Sequence, residues 1–309
     1  MCRRCFKAID GRLWIPAAVC AGGRSIAITG KMSLSVPANS WAVRAQLPSS
    51  TPTRTRESRI DVDPFTVRLV LHGDLDFFLR SGARARSLKR SLNEKTSVKD
   101  VIESCGIPHT EIDLILVNEQ PVDFGHAIAS EANIELYPVG ATPPVFKYKR
   151  LQVAAATTFV ADGHLGRLAR DLRLLGFDVA YDPHAEDRQL LRVMERQNRA
   201  LLTCDRRLLM HAVVKIGYCP RSQNADEQTI EVIRRFDLLG SITAFTRCLR
   251  CNAALCQVSK AEIIERLEPL TKIYYEQFRR CTGCGQIYWA GSHLSKLHRR
   301  LEQIRANFA

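Results

Sequence analysis

Between residues 157 and 240 short apolar runs alternate with helical patterns, and this alternation restricts the fold more than any other feature of the chain. TTFVAD reads as a strand ending at Asp162, and Leu165, Leu168, Leu172 and Leu175 mark one face of a helix that Gly176 stops. FDVAYD reads as a second strand ending at Asp182, AEDRQLLRVMERQ as a helix with Leu190, Leu191 and Met194 inward, and RALLTCD as a strand ending at Asp205. NADEQTIEVIRRFDL then puts Ile230, Ile233 and Phe236 on one face of a further helix. Strands and helices taking turns imply an α/β fold, a three-layer αβα core around a mostly parallel sheet.

In such sheets ligands bind along the edge formed by the carboxyl ends of the strands. Asp162 and Asp205 lie on that edge, and Asp187 and Asp226, near helix starts, are placed to face them. Four converging carboxylates suit Mg²⁺ or Mn²⁺, which prefer hard oxygen ligands and would neutralise a phosphodiester and activate a water for in-line attack. Each acid also has a purely structural role open to it: Asp162 and Asp226 as helix caps, Asp187 as a first-turn acid complementing the helix dipole, Asp205 as turn chemistry. Arg206 and Arg207, directly behind Asp205, can meet phosphate oxygens or form a solvated first helical turn.

FVADGHLGRLARDLRLLGFD, followed by DRQLL, ALLTCDRRLL and EQTIEVIRRFDL, resembles the PIN-like ribonuclease domain at the C-terminus of the Mut-seven exonuclease family, over about residues 158–309. The resemblance implies a metal-dependent ribonuclease whose acids fall on Asp162, Asp187 and Asp205, with Asp226 as a fourth. Where that family commonly has an aromatic residue and an Arg, this chain has Asp171 and Cys204.

Upstream, VRLVLHG, SVKDVIESCGI, DLILVNEQPV and NIELYPV give a strand, a helix, a strand broken by a turn and a closing strand, the order of a β-grasp module. SVKDVIESCGIPHTEIDLILVNEQPV resembles the ubiquitin-like domains of the molybdopterin-synthase and thiamine sulfur-carrier type, in the variant joined to a ribonuclease domain. Carriers of that type use a free C-terminal Gly-Gly, whereas here Gly140 is followed by ATPPVFKYKR. The module is therefore expected to dock a protein partner or to be a structural appendage.

CLRC at 248–251 and CTGC at 281–284 form two CxxC knuckles separated by 29 residues. Cys248, Cys251, Cys281 and Cys284 fit a tetrahedral structural Zn²⁺, a zinc ribbon. Behind the second knuckle, Tyr288 and Trp289 precede a helix that Ser292 can cap. His293, Lys296 and Arg300 share one face of that helix, with Arg299 beside them, while Leu294, Leu297 and Leu301 form the other. Trp289, His293, Lys296, Arg299 and Arg300 are candidate contacts to single-stranded RNA; a packed Trp beside a solvated amphipathic helix is the competing reading.

The net charge of +13 is concentrated at the two ends. Residues 1–60 carry ten Lys or Arg against two acids, and residues 241–309 eleven against five, which points to a polyanionic partner. Residues 1–60 are compositionally like a transit peptide, but read better as a disordered tail or a start placed too far upstream. No apolar run approaches the length of a membrane span, and cysteines clustered in pairs favour metal in a reducing, cytoplasmic setting over a disulfide framework. The expected division is a β-grasp module over 65–140, a PIN-like nuclease core over 156–240 and a zinc ribbon with a basic helix over 245–309. The expected function is hydrolysis of RNA phosphodiester bonds, with a non-catalytic RNA-binding or ribosome-associated adaptor as the alternative.

Overall fold

The computed structural model describes residues 64–79, 86–140, 150–152 and 156–307, so the expectation for residues 1–60 lies outside the described residues. Strand β1 (Phe65–Leu71) alternates buried and exposed side chains, as a strand with one face on a core must. It pairs antiparallel with β2 (Ser87–Leu92). The short β3 (Thr96–Ser97) leads into α1 (Val98–Ser104), where the Ser97 hydroxyl accepts a hydrogen bond from the Asp100 amide and caps the helix. β4 (Ile112–Val117) and β5 (Gln120–Val122) form a hairpin whose turn residues Asn118 and Glu119 both have positive φ, the geometry that follows the twist of the strands. β6 (Ala127–Ile128) pairs with β3, and β7 (Ala132–Pro138) runs parallel to β1 and antiparallel to β4. The sheet order β2-β1-β7-β4-β5, with its central parallel pair and one helix, is a β-grasp.

The second sheet is wholly parallel. β8 (Thr158–Ala161), α2 (Gly166–Leu174), β9 (Asp178–Tyr181), α3 (Asp187–Gln197), β10 (Ala200–Leu202), α4 (Arg206–Leu209), β11 (Gly217–Tyr218) and α5 (Ala225–Arg235) follow in turn, with strand order β11-β10-β8-β9. One face of the sheet packs Phe159 and Val179 against Leu168 and Leu172 of α2 and Val232 and Ile233 of α5. The other face packs Val160 and Leu201 against Leu190 and Met194 of α3. That is the αβα sandwich read from the sequence. Gly176 turns the chain out of α2 at φ +99, and the carbonyl of Thr243 lies 2.2 Å from where a Cβ would stand. Only glycine fits there on both counts.

The ribbon comprises β12 (Leu255–Val258), α6 (Lys260–Ile263), α7 (Pro269–Tyr274), β13 (Phe278–Cys281) and β14 (Ile287–Trp289), the strands forming an antiparallel sheet in order β12-β13-β14. Its own small core is Val258, Ile263, Leu267, Phe278 and Ile287. The final helix, α8 (Ser292–Ala306), leaves the ribbon and returns to the αβα core, burying Leu301 and Ile304 among Val232, Ile233 and Phe236. Among the described residues no helix is long and apolar enough to cross a membrane.

The β-grasp and αβα cores merge. Val67, Leu69, Ile115 and Ile134 of the first belong to the same buried cluster as Leu208, Leu209 and Val214 of the second. The connecting residues are stitched along β4: the Leu151 amide donates to the Asp113 carbonyl at 2.8 Å, and the Gln152 amide to the Asp113 carboxylate at 3.0 Å.

Candidate functional site

The parallel sheet presents the ends of β8 and β10 side by side, and the order of strands reverses between them, because the chain leaves β8 for β9 on one side and returns to β10 on the other. This is the crevice where an open α/β sheet takes its ligands. Asp162 and Asp205 emerge here. The Asp162 amide donates to the Leu202 carbonyl at 3.0 Å, and the buried Thr203 hydroxyl donates to Asp162 Oδ2 at 2.7 Å. The same hydroxyl oxygen accepts the Asp205 amide at 3.0 Å. One side chain thus fixes both strand-end acids. Asp205 also caps α4, its Oδ1 accepting from the amides of Arg207 at 2.7 Å and Leu208 at 3.3 Å. Gly163 lets the loop after β9 close in, since a Cβ there would stand 2.8 Å from the Pro183 carbonyl.

The other two acids are placed differently. Asp187 is an exposed first-turn residue of α3, which is capped by Glu186 in a reciprocal arrangement with Gln189. Asp226 lies in the first turn of α5, capped by Asn224, and forms an ion pair with Arg300 of α8. Arg300 also donates to Asp171 Oδ2 of α2 at 2.6 Å. Burial pushes the Asp171 carboxyl up, against the opposing pull of Arg300, whereas the hydrogen bond from Arg300 holds Asp226 below the usual carboxylate range. Among the described residues, no three carboxylates bring their oxygens within 4.8 Å of one another, so Asp162, Asp187, Asp205 and Asp226 do not form so close a group.

The basic candidates divide in the same way. Arg206 turns its guanidinium to the β-grasp module, donating to the carbonyls of Phe78 at 2.6 Å and Phe77 at 3.2 Å. Arg207 and Arg299 are exposed, and Arg300 is taken up by its two carboxylates. Trp289 is half-buried against the ribbon core. His293 and Lys296 fall within α8, and their side chains lie outside the described residues.

The four knuckle cysteines converge. Their Sγ atoms all lie within 4.8 Å of one another, with Cys248 and Cys284 at 3.7 Å and Cys251 and Cys281 at 3.3 Å. Four thiolates around one zinc at about 2.3 Å would have their sulfurs a little under 4 Å apart, so the set fits this metal. Amide groups already point at the sulfurs: Cys251 N–H to Cys248 Sγ at 3.5 Å, Gly283 N–H and Cys284 N–H to Cys281 Sγ at 3.3 and 3.4 Å. Such bonds stabilise thiolate charge. Tyr288 Oη lies 3.1 Å from Cys248 Sγ and accepts the Leu249 amide at 3.1 Å.

Comparison with known proteins matches residues 157–301 to the family model described as the Mut7-C RNAse domain, and residues 65–142 to that described as Mut7-C ubiquitin. The chain carries a Mut7-C RNAse domain behind a Mut7-C ubiquitin domain. The crystal structure of SAMP1 from Haloferax volcanii is 18% identical, with 25% of this chain and 99% of that chain covered and a TM-score of 0.20. No curated protein matches the chain.

The matched span of the Mut7-C RNAse domain includes the ribbon and reaches Leu301, in keeping with the return of α8 to the core. Within it, the first knuckle is fastened to the edge strand β9. The Arg173 guanidinium donates to the Val179 carbonyl, at 2.8 Å from Nη2, and to the carbonyls of Leu249 and Arg250 at 3.3 and 3.2 Å. The Val179 amide donates to Asn252 Oδ1 at 3.1 Å, and Asn252 Nδ2 donates to Asp178 at 2.8 Å. The open hydrogen-bonding side of β9 is closed by the knuckle. The Mut7-C ubiquitin domain meets the opposite end of the sheet. Glu111 accepts from the Cys219 amide at 2.7 Å and from Arg221 at 2.9 Å, and His109 Nε2 lies 2.8 Å from the Val214 carbonyl.

Thr203, Arg173 and Arg221 were not singled out by sequence reasoning, and Asp171 was noted only as a departure from the resembled family, without a role. A signal existed for Thr203 alone: a hydroxyl two residues before a strand-end Asp can reach a neighbouring strand end. The others find partners 76 residues or more away, among them Arg173 with Leu249, Asp171 with Arg300 and Arg221 with Glu111.

Proposed function

We propose that the chain is a metal-dependent ribonuclease that hydrolyses RNA phosphodiester bonds at the carboxyl edge of the parallel sheet, in a nuclease core over 156–240 between a β-grasp module (65–140) and a zinc ribbon (245–309). The observation that carries this reading is the Thr203 hydroxyl, which holds Asp162 and Asp205 together at the reversal of strand order, within a matched RNAse domain. Among the described residues, Asp162 Oδ1 and Asp205 Oδ2 have no protein hydrogen bond, so two hard oxygens are left for a cation. Mg²⁺ or Mn²⁺, when bound, supplies charge neutralisation at the phosphate and a more acidic water. Asp162 and Asp205 would hold it, Asp187 would add a carboxylate from the start of α3, and Asp226 would join once released from Arg300. Arg207, Arg299, Lys296 and His293 would meet the RNA backbone, with Trp289 beside them. The four cysteines would hold a structural zinc, whose thiolates suit a reducing compartment such as the cytoplasm.

A second reading, an RNA-binding adaptor that does not cleave, is favoured by the pairing of Asp226 with Arg300, which neutralises one of the four acids. Incubation of the purified chain with structured and single-stranded RNAs, in Mn²⁺ or in EDTA, separates the two. Asp205→Asn should keep the α4 cap, because Asn caps as well as Asp, while cleavage falls by orders of magnitude. Full cleavage by that variant overturns the assignment, and RNA binding without Mn²⁺-dependent cleavage by the unsubstituted chain selects the adaptor.

A further inference from the structure

The β-grasp module does not stand apart from the nuclease edge. Its segment Leu75–Phe78 forms a single 3-10 turn, which buries Leu75 and Phe78 and leaves the Phe77 ring 38% exposed. Arg206, the residue directly after Asp205, donates to the carbonyls of both phenylalanines. Its guanidinium carbon lies 5.4 Å from the centroid of the Phe77 ring, and that of Arg221, which follows β11, lies at 5.3 Å. Asp74 fixes Arg221 from the module side at 3.0 Å. The Leu71 amide donates to the Arg86 carbonyl, so the exposed Arg86, directly before β2, lies at the same end of the module's sheet.

An exposed aromatic ring is what single-stranded nucleic acid uses for base stacking. Arg206, bonded to two carbonyls, and Arg221, paired with Asp74 and Glu111, hold the ring in place, and the exposed Arg86 and Arg207 are the cations left to follow the backbone. A docked protein would want an apolar surround. Here the surround is Asp74, Arg206, Arg221 and the partly exposed Asp76. From these contacts we infer that Phe77, contributed by the ubiquitin-like module, is a stacking platform for a base of single-stranded RNA entering the nuclease edge. The module then serves as one wall of the RNA path. This inference rests on the ribonuclease reading, and binding can be measured separately from cleavage.

The test uses the full chain carrying Asp205→Asn, so that RNA stays intact, and a short oligouridylate as probe. Phe77→Ala should weaken oligouridylate binding about tenfold, the scale of one lost base stack, and Phe77→Tyr should restore it. Phe77→Trp should bind normally and show RNA-dependent quenching beyond that of the unsubstituted chain, whose Trp14, Trp41 and Trp289 set the baseline. Unchanged affinity in Phe77→Ala overturns the inference, as does an affinity loss that Phe77→Tyr fails to restore or an indole that RNA leaves unquenched. Mn²⁺-dependent cleavage by the unsubstituted chain reports on the ribonuclease reading independently: cleavage with an indifferent Phe77 removes the platform alone, and absence of any RNA binding removes both.

Discussion

Glu111 of the ubiquitin domain and Arg221 of the RNAse domain meet at 2.9 Å, with the Glu111 side chain only 3% exposed. The same carboxylate takes the Cys219 amide, so a single acid satisfies a cation and a backbone donor of the neighbouring domain. Glu111→Ala leaves the Cys219 amide without its acceptor and Arg221 with the half-exposed Asp74 as its remaining carboxylate. Breaking a buried pair from one side costs about 3–5 kcal/mol. Chemical denaturation should show that loss as a lowered midpoint for the whole chain, and an unshifted midpoint would mean that the two domains fold without regard to each other.

Thr203→Val keeps the volume of the side chain and removes the hydroxyl that spans Asp162 and the Asp205 amide. Loss of a hydrogen bond that orients a metal-holding carboxylate costs about tenfold to a hundredfold in metal affinity or activity. RNA cleavage in Mn²⁺ should fall by that amount and recover in Thr203→Ser. Recovery is the informative result, since a merely structural role would follow the γ-methyl group and not the oxygen.

The carboxyls flanking Arg300 should titrate in a fixed order. Burial raises Asp171, and the hydrogen bond from Arg300 lowers Asp226, so Asp171 takes up its proton first as pH falls. For Asp226 the folded value lies below the unfolded one. Its contribution to stability is therefore present above the ordinary carboxylate range and is lost as pH falls through the depressed value. Asp171 has the opposite sign: protonation favours its folded form, and its contribution is lost as pH rises through its raised value. Carboxyl-carbon NMR titration should find Asp171 above Asp226, and Arg300→Met should move Asp226 upward. The reverse order would contradict the clamp.

Removal of metal from the cysteine centre should be felt in the nuclease sheet. Asn252, one residue beyond Cys251, holds the Val179 amide, and the Leu249 and Arg250 carbonyls hold Arg173. Chelation, or Cys281→Ser, should accelerate hydrogen exchange at Val179 while the amide of Leu201, on the far side of β8, stays protected. Equal acceleration at both would indicate global unfolding, and no change at Val179 would uncouple the ribbon from the sheet.

The alternation of apolar runs made the αβα core legible, because α2, α3 and α5 repeat apolar residues on one face and β8, β9 and β10 each run out toward an aspartate. Two CxxC pairs made the four-cysteine cluster legible, because thiolates in paired knuckles have few uses other than holding a metal. The roles of Arg206 and Arg300 were not legible. Arg206 donates to backbone carbonyls 128 and 129 residues upstream, and a backbone acceptor has no signature in sequence. Arg300 lies next to Leu301, whose burial brings this part of the helix against Asp171 and Asp226, so a residue that reads as solvent-facing becomes a half-buried cation clamped by two carboxylates. Asp205 was ambiguous in sequence because its two roles coexist: one oxygen caps α4 and the other remains available.

The return of α8 has a consequence for biosynthesis. During translation the stretch from β8 to α5 emerges before α8, so Val232, Ile233 and Phe236, although packed on the sheet, still lack the cover that Leu301 and Ile304 provide. That face waits while the entire ribbon is made, because Leu301 and Ile304 come only after the second knuckle. A nascent chain in this state displays a sticky apolar surface for the time needed to synthesise the ribbon, the circumstance in which chaperones engage and aggregation competes. Prompt closure of the cysteine knuckles would shorten that interval by bringing α8 to its seat, making metal supply a determinant of folding yield.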